Sequence, residues 1–310
     1  MVVAHRGASY DRAEHTLDAY VAAIATGADA LECDVRLTRD GHLVCVHDRT
    51  VDRTSDGRGP VSDLDLAQLN ALDFSSWHDY PQAGGSDWEH EEYLAGVAPD
   101  RDDKGRILTL ETLLELVQAA DRDVKLLVET KHPTRYGGLV ETEVVSLLRR
   151  FGWAAPPPDE GARRPSAFDV DRARAARVSV MSFAVTALRR VQLLAPDVAT
   201  VLLAEWLLPG RRDGSLPPGV PISGPGLHIL RKNPGYVRAA HDAGSLVYVW
   251  TVDEPEDIDF VLELGVDAVI SNRPAQVLRR LAGSPSHKAD SPLHKADSPL
   301  HKPERFSGQA

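Results

Sequence analysis

Short runs of apolar residues alternate with stretches of helical periodicity from the first residues to about position 282. That alternation predicts a parallel sheet wrapped by helices. Eight strands are predicted, over residues 2–5, 28–35, 124–130, 178–183, 200–204, 226–230, 246–251 and 267–271. Eight is the number that closes an α/β barrel, the (β/α)8 or TIM-barrel fold. A doubly wound open sheet is the alternative, and the segment 226–230 decides between them.

The helices between these strands show one apolar stripe each. Leu17, Tyr20, Val21 and Ile24 recur with helical spacing, as do Leu110, Leu113, Leu114 and Val117. Such a stripe packs on a sheet and leaves the opposite side to solvent. Gly265 follows Ile258, Val261 and Leu262 in a helix-stopping position, and Pro274 stands where it can open the last helix.

Two regions break the alternation. Residues 49–106 are rich in Asp, Gly and Pro, with one short helical pattern (Leu64, Leu66, Leu69, Leu72) and the aromatics Trp77, Tyr80, Trp88 and Tyr93. An insertion this long is more often functional than idle. After the second strand of a barrel it would lie over the active-site mouth. The second region is residues 284–310, where Ser284-Pro-Ser-His-Lys-Ala-Asp290 recurs as Ser291-Pro-Leu-His-Lys-Ala-Asp297 and begins again at Ser298. Each copy holds a proline and no apolar seam, so a disordered tail is expected after a barrel domain of residues 1–283.

Composition narrows the partners. The chain has 310 residues, 43% hydrophobic and 26% charged, enough for a core that stands alone. Its net charge of −11 argues against broad binding to nucleic-acid backbones, while leaving room for a small anionic substrate at a locally positive site. The cysteines, Cys33 and Cys45, form neither a CxxC pair nor a zinc spacing, and they alternate with polar positions as core residues do. No apolar run is long enough to span a membrane, so no stable membrane insertion is expected. Met1 leads directly into His5-Arg6-Gly7 without a basic and apolar leader, which favours a cytoplasmic location.

The polar residues at strand ends carry the chemistry. Glu32 and Asp34 are two apart on a strand and share a face, a half-site for a hard cation such as Mg2+ or Ca2+. Asp40-Gly41 lies between alternating apolar positions, the signature of a two-residue hairpin. With those two as the turn, Arg39 pairs with His42 and Asp34 faces His47, which returns an imidazole to the carboxylates. Glu129 and Lys131 share a face at the end of the next strand. Glu129 would complete a three-carboxylate site, and Lys131 and Arg6 suit phosphate oxygens. Buried ion pairs that fix the barrel are the alternative reading of these groups. Trp250 and Phe183 also stand at strand ends, and Trp250 is the one expected to face a ligand.

These residues resemble the glycerophosphodiester phosphodiesterases from His5 to about Pro274. The matching elements are His5-Arg6-Gly7, Glu14 and Thr16, Gly27-Ala28-Asp29, Glu32-Cys33-Asp34-Val35, Thr38, Asp40-Gly41, His47-Asp48, Glu129-Thr130-Lys131, Ser182-Phe183 and Trp250-Thr251-Val252. The resemblance implies His5 and His47 as the acid–base pair, and Glu32, Asp34 and Glu129 as ligands of one divalent cation, Mg2+ or Ca2+. It further implies Arg6, Lys131 and Trp250 as substrate contacts. The loop before the first helix departs from the family: it reads Ala13-Glu14-His15-Thr16 and lacks the usual Pro and Asn, a difference expected to bear on substrate fit near that loop.

The implied activity is metal-dependent hydrolysis of a small-molecule glycerophosphodiester to glycerol 3-phosphate and an alcohol, with one histidine as base and the other as acid. A phospholipase D-like or sphingomyelinase D-like barrel acting on lipid headgroups is the alternative enzyme. A non-catalytic phosphate-binding barrel is the alternative outside enzymes.

Overall fold

The computed structural model describes residues 1–78, 105–156, 170–207 and 209–283. The repeat region, and with it Tyr80, Trp88 and Tyr93, lies outside the described residues. In chain order the elements are β1 (Val2–His5), α1 (Leu17–Thr26), β2 (Ala30–Leu37), β3 (Leu43–Cys45), α2 (Leu66–Leu69), α3 (Leu110–Ala119), β4 (Lys125–Thr130) and α4 (Leu139–Arg150). They continue with α5 (Val170–Ala175), β5 (Val178–Ser182), α6 (Val185–Leu194), β6 (Ala199–Ala204), β7 (Ile222–Pro225) and α7 (Leu227–Lys232). The last are α8 (Tyr236–Asp242), β8 (Leu246–Val249), α9 (Pro255–Glu263), β9 (Ala268–Ser271) and α10 (Pro274–Gly283).

Eight of the strands run parallel, and β1 pairs with both β2 and β9, which closes the sheet into a barrel. The open-sheet alternative is thereby excluded. β3 is the extra strand, antiparallel on the outer reach of β2.

Period-two alternation places the layers. Val3, Ala30, Leu127, Met181, Val201, Ile222, Leu246 and Ile270 fill the barrel interior, while Leu31, Cys33, Val35, Leu126 and Val128 pack outward against helices. Both cysteines are buried and free. Helices α1 and α3 bury the predicted stripes, and Tyr20, Leu110, Leu113 and Leu114 are fully enclosed. Each such leucine contributes about 1.5–3 kcal/mol relative to an exposed one. No described helix is long and apolar enough to cross a membrane.

Two expectations are corrected. The sixth barrel strand is β7 (Ile222–Pro225), and most of segment 226–230 belongs to α7. Ile222-Ser-Gly-Pro225 has one large apolar residue and ends in proline, which can close a strand but not continue its ladder. Ile229 and Leu230 read as strand residues, yet they are buried on the helix.

The hairpin register is also shifted by one. Val35 faces Cys45 and Leu37 faces Leu43, and the Val46 amide donates to the Asp34 carbonyl, so Asp34 faces Val46 rather than His47. The favoured two-residue turns need positive φ at their first central residue, Asp40, and only Gly41 has it (+90°). The loop therefore takes three residues, and Thr38 closes it: its amide donates to the His42 carbonyl and its Oγ1 accepts from the His42 amide.

The described part of the insertion forms a small core of its own. Val51, Val61, Leu69 and Phe74 pack with Val44, Val46 and Ile107, and the predicted Leu64, Leu66 and Leu72 join at its edge.

Candidate active site

The strand pattern that fills the barrel also builds the site. Along the inward face, Val3 gives way to His5, Ala30 to Glu32 and Asp34, and Leu127 to Glu129. Each charged residue is the next same-face position after an apolar one, so the polar groups collect at the C-terminal ends of the strands. Parallel pairing then sets His5 beside Glu32 and Asp34 beside Glu129.

Glu32, Asp34 and Glu129 each offer a carboxylate oxygen, and these oxygens lie within 4.8 Å of one another in a buried setting. Burial, and next the Asp34 charge, push Glu32 well above the ordinary carboxylate range and Glu129 up to about 8. Burial would raise Asp34 as well, but the His15 hydrogen bond and the charges of Lys131 and Arg6 override it and hold that carboxylate well below its usual range. The Asp34 Oδ1 atom is buried and accepts no hydrogen bond. Three crowded carboxyl groups, two of them reluctant to ionise, are a donor set that a hard divalent cation satisfies.

Two cations already lean on this cluster. Lys131 Nζ is 2.8 Å from Glu129 Oε1 and 3.2 Å from Asp34 Oδ1. Arg6 Nε is 3.0 Å from Asp34 Oδ2, while its Nη1 donates to Glu14 Oε1 at 3.0 Å and its backbone amide to Glu32 Oε2 at 3.0 Å. Arg6 adopts φ of +60°, and the following Gly7 has φ of +86°. A Cβ on Gly7 would meet the Ala19 backbone at 2.7 Å, so only glycine lets this turn rest on α1.

The two predicted histidines flank the carboxylates with different anchors. His5 donates from Nδ1 to Asn272 Oδ1 at 2.7 Å, and Asn272 is itself held by Ser9 and Asp253. Burial and the neighbouring Arg6 lower the His5 pKa to about 3. His47 donates from Nδ1 to Asp48 Oδ1 at 2.7 Å. Its pKa is also lowered, first by burial, with Asp34 opposing and Arg6 and Lys131 adding to the fall. Although the register places Val46 opposite Asp34, the chain turns after β3, and Arg36 clamps the His47 carbonyl from Nε (3.1 Å) and Nη2 (2.7 Å).

A bridge links this side of the mouth to the insertion. Arg53 donates to Asp48 at 2.6 Å and to both oxygens of Glu14 at 2.7 and 2.8 Å. Glu14 is accordingly held at about 2: burial opposes this, and the Arg53 hydrogen bonds and Arg6 charge outweigh it. On the opposite rim Trp250 donates from Nε1 to the Gly224 carbonyl at 2.7 Å and meets Phe183 edge-on at 5.6 Å. Phe183, for which the sequence favoured no ligand-facing role, is 42% exposed.

His15 corrects the reading of its loop. It is 5% exposed and faces inward, with Nε2 2.9 Å from Asp34 Oδ2 and Nδ1 2.8 Å from the Tyr20 hydroxyl. It therefore orients a carboxylate of the cluster rather than shaping the substrate side of the loop. Asn272, Asp253, Ser9 and Arg53 were not singled out from the sequence. Asp48, adjacent to His47, and Glu14 stand among the matching elements there.

Comparison with known proteins places this geometry. The family model described as "Glycerophosphoryl diester phosphodiesterase family" matches residues 5–276. A Mycobacterium tuberculosis protein described as "Probable glycerophosphodiester phosphodiesterase 1" is 45% identical over 275 residues, covering 89% of this chain and 90% of its own. A glycerophosphodiester phosphodiesterase of Caldanaerobacter subterraneus is 29% identical over 286 residues, covering 90% and 96%. Among solved structures, a phosphodiesterase of Oleispira antarctica in complex with the product sn-glycerol-3-phosphate superposes with a TM-score of 0.67 at 22% identity, covering 91% of this chain and 96% of that one. The latter likeness concerns the fold.

Proposed function

The chain belongs to the glycerophosphoryl diester phosphodiesterase family, and from that premise we propose that it hydrolyses glycerophosphodiesters to glycerol 3-phosphate and an alcohol with His5 and His47 as the acid–base pair. The observation that carries this reading is the cluster of Glu32, Asp34 and Glu129 between two imidazoles whose Nδ1 atoms are both anchored. Arg6 and Lys131 orient the phosphodiester and offset its charge, and Trp250 walls the opposite rim. A divalent cation, Mg2+ or Ca2+, held by Glu32, Asp34 and Glu129 supplies charge stabilisation at the phosphate.

The anchors favour one division of the histidine roles. A neutral amide oxygen at Nδ1 leaves His5 Nε2 as an unprotonated acceptor, the form a general base needs. The Asp48 carboxylate at Nδ1 stabilises an imidazolium, the form that protonates a leaving alkoxide. Each histidine contributes roughly 10²- to 10⁴-fold in rate, about 3–5 kcal/mol. The described start of the insertion, residues 49–78, borders this mouth, a reading supported by the Arg53 bridge to Glu14 and Asp48.

Lipid headgroups are the second reading. Its support is the rim formed by Phe183 and by Trp206, 69% exposed, beside a largely apolar cavity of about 410 Å3. Turnover of glycerophosphocholine, glycerophosphoethanolamine and lysophosphatidylcholine by the purified chain separates the two. Release of glycerol 3-phosphate from the first two supports the proposal; cleavage of the lysolipid alone would replace it.

A further inference from the structure

A second pocket opens on the far side of Lys131. It has a volume of about 300 Å3 and is lined by four cations, Arg36, Arg49, Lys131 and Arg135, with the hydroxyl-bearing Ser62 and Thr134. No Asp or Glu among the described residues lines it. In a chain of net charge −11 such a wall is against composition.

The carboxylates nearby are already paired, and three of them, Asp63, Asp34 and Glu129, pair with the wall's own Arg135 and Lys131. Asp63 pairs with Arg135 at 2.5 Å, Asp48 is held by Arg53 and His47, and Glu129 and Asp34 belong to the cation cluster. No carboxylate among the described residues pairs with the exposed Arg49. Arg36 uses Nε and Nη2 on the His47 carbonyl, which leaves its Nη1 for a ligand.

Position ties the pocket to the reacting site. Arg36 is the next same-face residue after Asp34 on β2, a two-residue step of about 7 Å. Lys131 forms part of both walls. We propose that this pocket is a second anion subsite that selects glycerophosphodiesters whose alcohol carries a phosphate monoester of its own. Guanidinium forks match phosphate oxygens in pairs, and the two hydroxyls can complete the shell. The inference rests on the phosphodiesterase reading for its substrate, and on the pocket alone for its ligand.

Two measurements test it. Calorimetric binding of inorganic phosphate at low ionic strength, with chelator present, should weaken about tenfold or more in Arg49→Ala and in Arg135→Ala, and recover to within a few-fold in Arg49→Lys. No phosphate binding, or an unchanged Kd in both alanine variants, would overturn the subsite. The second compares kcat/KM for glycerophosphoinositol phosphate and glycerophosphoinositol. The wild-type ratio should exceed about ten and fall toward one in Arg49→Ala; a wild-type ratio of one or less would contradict selection. Absence of turnover on both substrates, with glycerophosphoethanolamine still cleaved, would overturn the selection, whereas absence of turnover on all three would remove the phosphodiesterase reading and leave phosphate binding to judge the pocket.

Discussion

The Nδ1 atom of His5 lies 2.7 Å from Oδ1 of Asn272, at opposite ends of the barrel sequence. Closure of β1 on β9 brings them together. Asn272 Nδ2 donates to Asp253 Oδ2 at 2.7 Å and its backbone amide to Asp253 Oδ1 at 2.8 Å, so the amide cannot turn over without losing a bond. The tautomer of His5 is fixed by this arrangement.

Asn272→Leu should therefore lower kcat by roughly 10- to 100-fold with little change in KM, because the outer partner of a working group typically carries an effect of that size. Steady-state kinetics on glycerophosphoethanolamine read this directly. A variant with wild-type kcat would detach Asn272 from the tautomer of His5.

Glu14 links Arg6 at the site to Arg53 of the insertion, and its pKa falls from 4.5 to about 2 in the folded chain. A depressed carboxylate stabilises the fold above its unfolded pKa, and the contribution fades as pH falls through the folded value. Glu14→Gln should lose on the order of 2 kcal/mol at neutral pH, discounted for the half-exposed Arg53. The difference should shrink below pH 4.5 and vanish near pH 2. Denaturant melts across that range check it; a gap that stays constant with pH would deny the ion pairs a role in stability.

How much was readable beforehand follows from the range of each interaction. The barrel, its strand count and the shared face of Glu32 and Asp34 follow from period-two patterns within single strands, and the parallel pairing that a barrel requires then brings Glu129 of β4 beside Asp34. β7 escaped because Ser223-Gly224-Pro225 carries almost no apolar signal. The hairpin slipped by one because an Asp-Gly pair serves both two- and three-residue loops, and the side-chain bonds of Thr38 decide between them. Asn272 and Asp253 were invisible as partners of His5, since only closure of the sheet brings them near. His15 could be flagged as a departure, but its inward turn depends on φ of +61° and on Tyr20 reaching the Glu32 carbonyl.

The nucleophile can be identified with altered substrates. A glycerophosphodiester carries a hydroxyl beside its ester, and attack by that tethered group gains several kcal/mol over recruited water in favourable cases, roughly up to the 7–11 kcal/mol of ideal intramolecular reactions. The chain should use it first and pass through a cyclic phosphate, with the two histidines exchanging roles for ring opening. Replacing the glycerol hydroxyl by hydrogen should slow cleavage about tenfold or more in single-turnover experiments. Equal rates would show direct attack by water.

Activity before and after metal removal tests the central claim most directly. Glycerol 3-phosphate release from glycerophosphoethanolamine should vanish on exhaustive chelation and return with Mg2+ or Ca2+, since Glu32, Asp34 and Glu129 crowd their oxygens within 4.8 Å. The same titration on Glu129→Gln should need at least about tenfold more cation, in line with the loss of one charged ligand. Full turnover in the chelated wild type, with product of the same identity, would contradict a cation-dependent site built on these three carboxylates.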